Sequence, residues 1–491
     1  MRQPPEILWQ PDRQQIERSQ LHAYMRWLSE HKGLEFADYQ ALWQWSVDSL
    51  EAFWESIWHY FDIQASVPYQ RVLDRRVMPG ARWFEGSRLN LAEQLFRFHA
   101  DAPERPAILA RSELRPLGSL SWGELKRQIA ATAQALREMG VQRGDRVVAY
   151  LPNLPETVVA FYACASIGAI WSSCSPDMGT RSVVDRFRQI DPKVLIVVDG
   201  YRYGGKDFDR LEVVAQLRSE LPTLEHVVLL PYLDPDADLP GARLWQELVQ
   251  GEVPLSFEQL PFDHPLWVVY SSGTTGMPKP IVHGHGGTLL EALKGNALHL
   301  DLGPDDRFMW FSTTGWIMWN SQVSGLLVGA TICLYDGNPG YPDLGTLWRF
   351  AGEADLTFFG AGAAYFLNCK KADVDPRGLA NLDQLRAIGT TGSPLPEEGY
   401  AWLGRKLGNK VQIASISGGT DVAAAFVGAC PILPLHAGEM QCRYLGVAAY
   451  ALDDDGRPLD DEVGELVITE PMPSEVLSAG GLSRVPCDGT A

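Results

Sequence analysis

The sequence predicts an α/β protein: a large multi-layer body with mostly parallel sheets, an N-terminal helical cap, and a short β-hairpin or barrel piece near the C-terminus. Three observations carry this. From about residue 120 short β-branched runs alternate with helix-length segments, the pattern of βαβ crossovers. Seven of the sixteen tryptophans fall within the first 83 positions, so that stretch differs in texture from the rest. At 491 residues and 46% hydrophobic content, the chain can bury more than one core. The expected divisions are a cap over 1–100, a core over 101–445, a partial β subdomain over 446–474 and an unmatched tail over 475–491.

In the cap, Trp43, Val47, Leu50, Trp54, Ile57 and Phe61 recur at helical spacing and present one wide apolar face to something larger. Packing explains these aromatics. Ser121 and Glu124 read as a capping box, Leu125, Ile129 and Leu136 as the buried stripe of the helix that follows, and Gly140 as its stop. Strands are expected at 145–151, 169–173, 193–198, 226–230 and 266–270, and further α/β material at 329–335, 355–361 and 411–417 forms a second layer. The apolar run Thr157 to Trp171 is shorter than the ~20 residues that span a bilayer and reads as a buried helix entering a strand. Residues 233–242 read as an exposed acidic loop, and 446–469 as a hairpin around an Asp-Gly turn.

Charge and cysteine usage narrow the function. With 42 Lys plus Arg against 61 Asp plus Glu, the formal net charge is -19, which argues against a nucleic-acid partner or an anionic membrane surface. Any anionic ligand must therefore meet local donors. Seven cysteines lie without a C-x-x-C pair, and the N-terminus lacks a secretory design, so a reducing, cytoplasmic setting and structural thiols are expected. His283 and His285 lack a third ligand nearby and make a weak zinc site. No basic activator stands beside Cys174 in the sequence. The sequence leaves the oligomeric state open.

The chemistry concentrates where the strand LWVVY empties into SSGTTGMPKP. Glycines 273 and 276 let the backbone approach a polyphosphate, Ser271, Ser272, Thr274 and Thr275 offer hydroxyls, and Lys279 brings a full positive charge. The Walker spacing is absent, and Lys279 is followed by Pro280.

This segment, YSSGTTGMPKP, resembles the phosphate-loop signature of the adenylate-forming acyl-CoA synthetases, and WFEGSRLN, TTGWIMWN, RAIGTTGSPLP and SISGGTD agree in order along nearly the whole chain. Residues 149–179 and 185–210 are most similar to the branch that activates acetoacetate. The resemblance implies that ATP, acetoacetate and coenzyme A are substrates and Mg²⁺ the cofactor. A carboxylate attacks the α-phosphate to give an acyl-adenylate and diphosphate, and the thiol then displaces AMP. Acetate or propionate would be the alternative acids.

The resemblance also implies roles. The segment 271–279 would hold the β- and γ-phosphates. Thr420 would meet the α-phosphate and Asp421 the Mg²⁺, although relatives place Glu there and Asp421 is one methylene shorter; a turn or cap role would also suit an Asp after Gly-Gly. Gly392, Ser393 and Pro394 would lie along the adenine, with Ser417, Gly418 and Gly419 opposite; tight strand-to-helix turns would use the same residues. Ser393 stands where relatives carry Glu. Trp316 would end the acyl pocket and imply a small acid, or simply fill core. Arg202 and Lys206 would meet coenzyme A phosphates, or be solvated surface charges.

Relatives continue past the hairpin with a ribose-binding Asp, a hinge and a mobile lid carrying a lysine. After GELVITEPMPS this chain reads EVLSAGGLSRVPCDGTA, and Asp488 takes no assigned role. The expectation is a reading frame truncated or shifted near Ser474, with adenylation impaired and an inactive nucleotide-binding remnant as the reading from another class.

Overall fold

The computed structural model describes residues 6–271 and 276–477. Its body is built on two seven-stranded sheets. In the first, the strands Arg146–Tyr150, Ile170–Cys174, Val194–Val198 and His226–Leu230 pair in parallel, while Pro265–Ser271 joins Ile170–Cys174 in parallel and pairs antiparallel with Lys279–Gly284. The second orders Gln412–Ser415, Ala387–Thr391, Phe358–Gly362, Arg307–Trp310, Thr331–Asp336 and Pro106–Ser112 in parallel, with Gly118–Ser121 antiparallel at the edge. Both sheets are mostly parallel, as the βαβ pattern predicts, because strands covered on both faces read as continuous apolar runs such as VLIVV at 194–198, all buried.

The predicted strands appear within one to three residues of their expected bounds. The run from Thr157 is the helix Pro155–Ser166, ten of whose twelve residues are buried, followed by Ile170–Cys174. The hairpin near the C-terminus pairs Ala449–Leu452 with Glu465–Ile468. Gly140, at φ +75°, ends the turn after the helix Trp122–Glu138. The capping box there is only half made: the Ser121 hydroxyl accepts from the Glu124 N–H, but the Glu124 carboxylate turns to Arg127 at 3.1 Å and Gln128 at 3.2 Å instead of reaching back. Charge pairing along the helix outcompetes the second half of the box. Among the described residues no helix is long and apolar enough to cross a membrane.

The aromatic N-terminal stripe differs from one continuous helix. It breaks at Ser49 (φ -114°, ψ 52°) into Tyr39–Asp48 and Leu50–Tyr60, yet both helices turn their apolar residues inward. Trp43, Trp54, Leu50 and Ile57 are essentially buried in the main core. The first helix is tied to the strand-poor segment 443–447. Tyr39 donates to the Arg443 carbonyl at 2.6 Å, Trp43 Nε1 donates to the Val447 carbonyl at 3.2 Å, and the Ser46 hydroxyl accepts from Gly446 N–H at 2.8 Å. The Arg443 guanidinium lies 3.4 Å from the Trp43 ring centroid. Gly446 must be glycine, since φ is +70° and a Cβ would fall 2.4 Å from the Phe53 ring. The helical N-terminal region is therefore clamped onto the β-rich end of the chain by contacts 400 or more positions apart in sequence. Replacing Trp43 with alanine removes the ring packing and the carbonyl donor together, and unfolding free energy measured by denaturant titration should fall by about 3–5 kcal/mol.

Candidate functional site

The parallel strands of the second sheet end together, and their C-terminal ends feed the walls of one cavity. From Arg307–Trp310 the chain runs to Trp316, from Ala387–Thr391 to Gly392–Pro394, and from Gln412–Ser415 to Ser417–Thr420. Ligands of open α/β sheets commonly sit at such strand ends, because loops there leave a crevice lined by backbone polar groups. The cavity has a volume of about 460 Å³ and its wall includes Trp316, Gly392, Ser393, Pro394 and Ser417–Thr420. The two glycine-bearing walls are joined by a hydrogen bond from the Thr391 hydroxyl to the Ile416 carbonyl, at 2.7 Å.

The glycines have distinct reasons to be there. Gly392 sits at φ +86°, so a side chain there would be strained, although a Cβ would only reach ordinary contact with the Trp316 ring at 3.5 Å. At Gly418 a Cβ would lie 2.4 Å from the Ala424 carbonyl oxygen, and at Gly419 2.7 Å from the Phe426 ring. Those two are demanded by the tight pairing of Ser417–Gly419 with Ala424–Gly428.

The expected phosphate segment connects the two antiparallel strands at the edge of the first sheet. Ser272, Gly273, Thr274 and Thr275 lie outside the described residues. Ser271 and Lys279 face each other as the last and first residues of the two hairpin strands, and Gly276 holds φ +110°. Lys279 is exposed. The one-turn 3-10 helix Thr420–Val422, which follows the short strand Ser417–Gly419, packs against both hairpin strands and so sets Thr420 and Asp421 against the edge of the first sheet. Asp421 is exposed and has no ion-pair partner among the described residues. Ala423 follows it in the left-handed region, at φ +47°, a conformation alanine rarely adopts and one that the packing here must hold.

His283 fixes this junction. It is fully buried; Trp267 Nε1 donates to its Nδ1 at 2.9 Å, so its other nitrogen carries the proton and donates to the Asp421 carbonyl at 3.2 Å. Burial pushes the imidazole pKa down to about 4. The pairing thus explains one of the two histidines of VHGHGG without a metal: His283 is a neutral brace beneath Asp421. His285 is also fully buried, and its Nδ1 accepts from Leu91 N–H at 3.3 Å.

Arg202 and Lys206 stand apart from the cavity, on a hairpin of Gly200–Tyr203 with Lys206–Asp209. Arg202 is already held by Asp207 through two hydrogen bonds, at 2.5 and 3.0 Å. Lys206 is exposed, with no ion-pair partner among the described residues. Cys174 is buried, and burial pushes its thiol up to about 12, so it is unsuited to act as a nucleophile.

Residues 95–475 match the AMP-binding enzyme family, and residues 39–95 match the acetyl-coenzyme A synthetase N-terminus. The chain belongs to the AMP-binding enzyme family. Within that family, it is 42% identical to the acetoacetyl-coenzyme A synthetase of Rhizobium meliloti, over 95% of this chain and 72% of that one. It is 34% identical to the malonamoyl-CoA synthetase of Penicillium aethiopicum, over 94% of this chain and 68% of that one. Its fold superposes on the acetoacetyl-CoA synthetase from Streptomyces lividans with a TM-score of 0.93 and 50% identity, over 96% of this chain and 74% of that one.

Sequence reading missed the helix that follows the hairpin, His285–Leu293, whose Thr288 and Glu291 also line the cavity of this AMP-binding fold. A signal was present: Thr288, Glu291 and Lys294 fall three apart on an otherwise apolar helix, so their polar groups share the stripe that would be expected to be buried.

The His283 pairing has a pH signature. Its native pKa lies below the ordinary 6.5, so the unfolded chain binds the extra proton between about pH 6.5 and 4, and stability is lost as pH falls through that window. The full contribution is on the order of 3 kcal/mol. Across that range the melting temperature of the parent should fall more steeply with decreasing pH than that of His283→Gln.

Proposed function

We propose that this chain binds ATP and acetoacetate in the cavity at the strand ends and acts as an acetoacetate–CoA ligase, forming acetoacetyl-CoA, AMP and diphosphate. The observation that carries the reading is the single cavity lined jointly by Trp316, Gly392–Pro394 and Ser417–Thr420, beside the hairpin that ends at Ser271 and resumes at Lys279. The acyl groups in the names of two relatives, acetoacetyl and malonamoyl, both carry a carbonyl on the third carbon. That shared feature favours acetoacetate over acetate or propionate.

In this reading Gly392, Ser393 and Pro394 flank one face of the adenine and Ser417, Gly418 and Gly419 the other. Ser271 to Lys279 holds the β- and γ-phosphates, with Lys279 neutralising charge, and the Thr420 hydroxyl donates to the α-phosphate. Asp421, exposed and without a cationic partner among the described residues, suits Mg²⁺, and the ion would offset phosphate charge when bound. His283 braces Asp421 from below through its backbone carbonyl. The acid enters with its carboxylate toward Thr420, and the Trp316 ring limits its length.

The first step forms a bond from a carboxylate oxygen to the α-phosphorus and breaks the bond to diphosphate, which leaves with the electron pair. The thiolate of coenzyme A then adds to the acyl carbon, and AMP departs. The protein's contribution to the first step is placement of donors around two anions that would otherwise repel, the kind of preorganisation worth several kcal/mol. Coenzyme A phosphates would meet Lys206 first, because Arg202 is engaged by Asp207.

Exchange of labelled diphosphate into ATP is expected to require acetoacetate, with acetate and butyrate poorer by roughly tenfold or more. Lys279→Ala should lower the rate by about 10²–10³-fold. Equal exchange with acetate would move the assignment to a shorter acid, and adenylate binding without any exchange would favour a nucleotide-binding remnant.

A further inference from the structure

The cavity does not end in apolar packing. Its wall extends to the helix His285–Leu293, where Thr288 and Glu291, three residues apart and so on one face, both border the open space. Each is only 4% exposed. The Thr288 hydroxyl and the Glu291 Oε1 are buried without a hydrogen-bond partner among the described residues. A helical threonine ordinarily satisfies its hydroxyl on the carbonyl a turn earlier, and leaving a buried polar atom unmet is costly enough that native folds seldom do it.

Glu291 is held in place from behind. Lys294 Nζ lies 2.7 Å from its Oε2, and the ammonium sits 4.9 Å from the centroid of the Trp54 ring. Lys294 also opens a π-helical turn, Lys294–His299, a local widening of the helix frequently found at functional sites. One oxygen of Glu291 is thus committed to the lysine, and the other has no partner among the described residues although the side chain borders the cavity. Burial favours the uncharged form of both partners, and each partner's charge opposes that tendency in the other.

We infer that Thr288 and Glu291 form the specificity-determining end of the acyl pocket, with the Thr288 hydroxyl donating to a carbonyl oxygen on the third carbon of the acid and Glu291 orienting that end. This deepens the proposed function and rests on it. An acid with a plain alkyl tail would leave the hydroxyl and Oε1 unmet, whereas an acid with a neutral 3-oxo group satisfies the donor. Discrimination against an analogue that lacks the hydrogen-bonding group is the kind that buried polar pockets achieve best.

The test uses the full chain and two non-reactive adenylate mimics, the 5′-sulfamoyl-adenosine derivatives of acetoacetate and butyrate, with binding read by calorimetry so that turnover is not needed. The parent should bind the acetoacetyl mimic at least roughly tenfold more tightly than the butyryl mimic. Thr288→Val, which keeps the shape and removes the hydroxyl, should abolish most of that preference by weakening the acetoacetyl mimic alone. Thr288→Ser should retain it, and Thr288→Ala serves the same comparison if valine does not fold. Equal weakening of both mimics, or no change in either, overturns the inference. A parent that binds both mimics equally overturns it too, while leaving the ligase reading in place. If neither mimic binds the parent, the ligase reading itself falls, and the inference with it.

Discussion

The junction between the two sheets is the constraint on which the rest of the site depends. The hairpin at the edge of the first sheet and the short turn after the last strand of the second are distant in sequence, and neither alone makes a pocket. They are locked together by a buried imidazole that accepts from Trp267 on one side and donates to the Asp421 carbonyl on the other. Because the histidine is neutral and its tautomer is set by the indole, the contact is directional and cannot slip by a residue without leaving a buried donor unmet. Thr420 and Asp421 owe their position against the hairpin strands to this brace as much as to their own strand.

The reading frame of βαβ units was legible because parallel strands buried on both faces carry an unmistakable apolar signature, and the two-sheet body follows from it. Of the short motifs, the glycine-bearing turns and Trp316 line one cavity, while Ser271 and Lys279 are not among its lining residues. What sequence patterns did not reveal depends on long-range geometry. The break at Ser49 interrupts a helical stripe whose apolar residues on both sides nonetheless enter one core. The box at Ser121 is half made because Arg127 and Gln128 compete for the Glu124 carboxylate. Gly418 and Gly419, read as room for a flat ring, are required by a strand-to-strand approach that no local pattern announces. His283 reads from sequence as a weak metal ligand, and only the fold brings Trp267 and Asp421 to its two nitrogens.

The aromatic N-terminal region takes on a second meaning once its neighbours are named. Trp54 packs against Phe53 and Trp83 in edge-to-face contacts, and it is the ring over which Lys294 lies. A lysine and a glutamate both removed from water are a costly pair, and such a pair persists only when the surrounding groups are well placed. Here the indole face compensates part of the lost hydration of the ammonium, and the lysine in turn fixes the glutamate that borders the cavity. The N-terminal region therefore reaches the cavity wall through one ring, one cation and one carboxylate. That chain of contacts gives a physical reason for one tryptophan of this region: the flat ring of Trp54 excludes water from the pair and offers the ammonium an aromatic face.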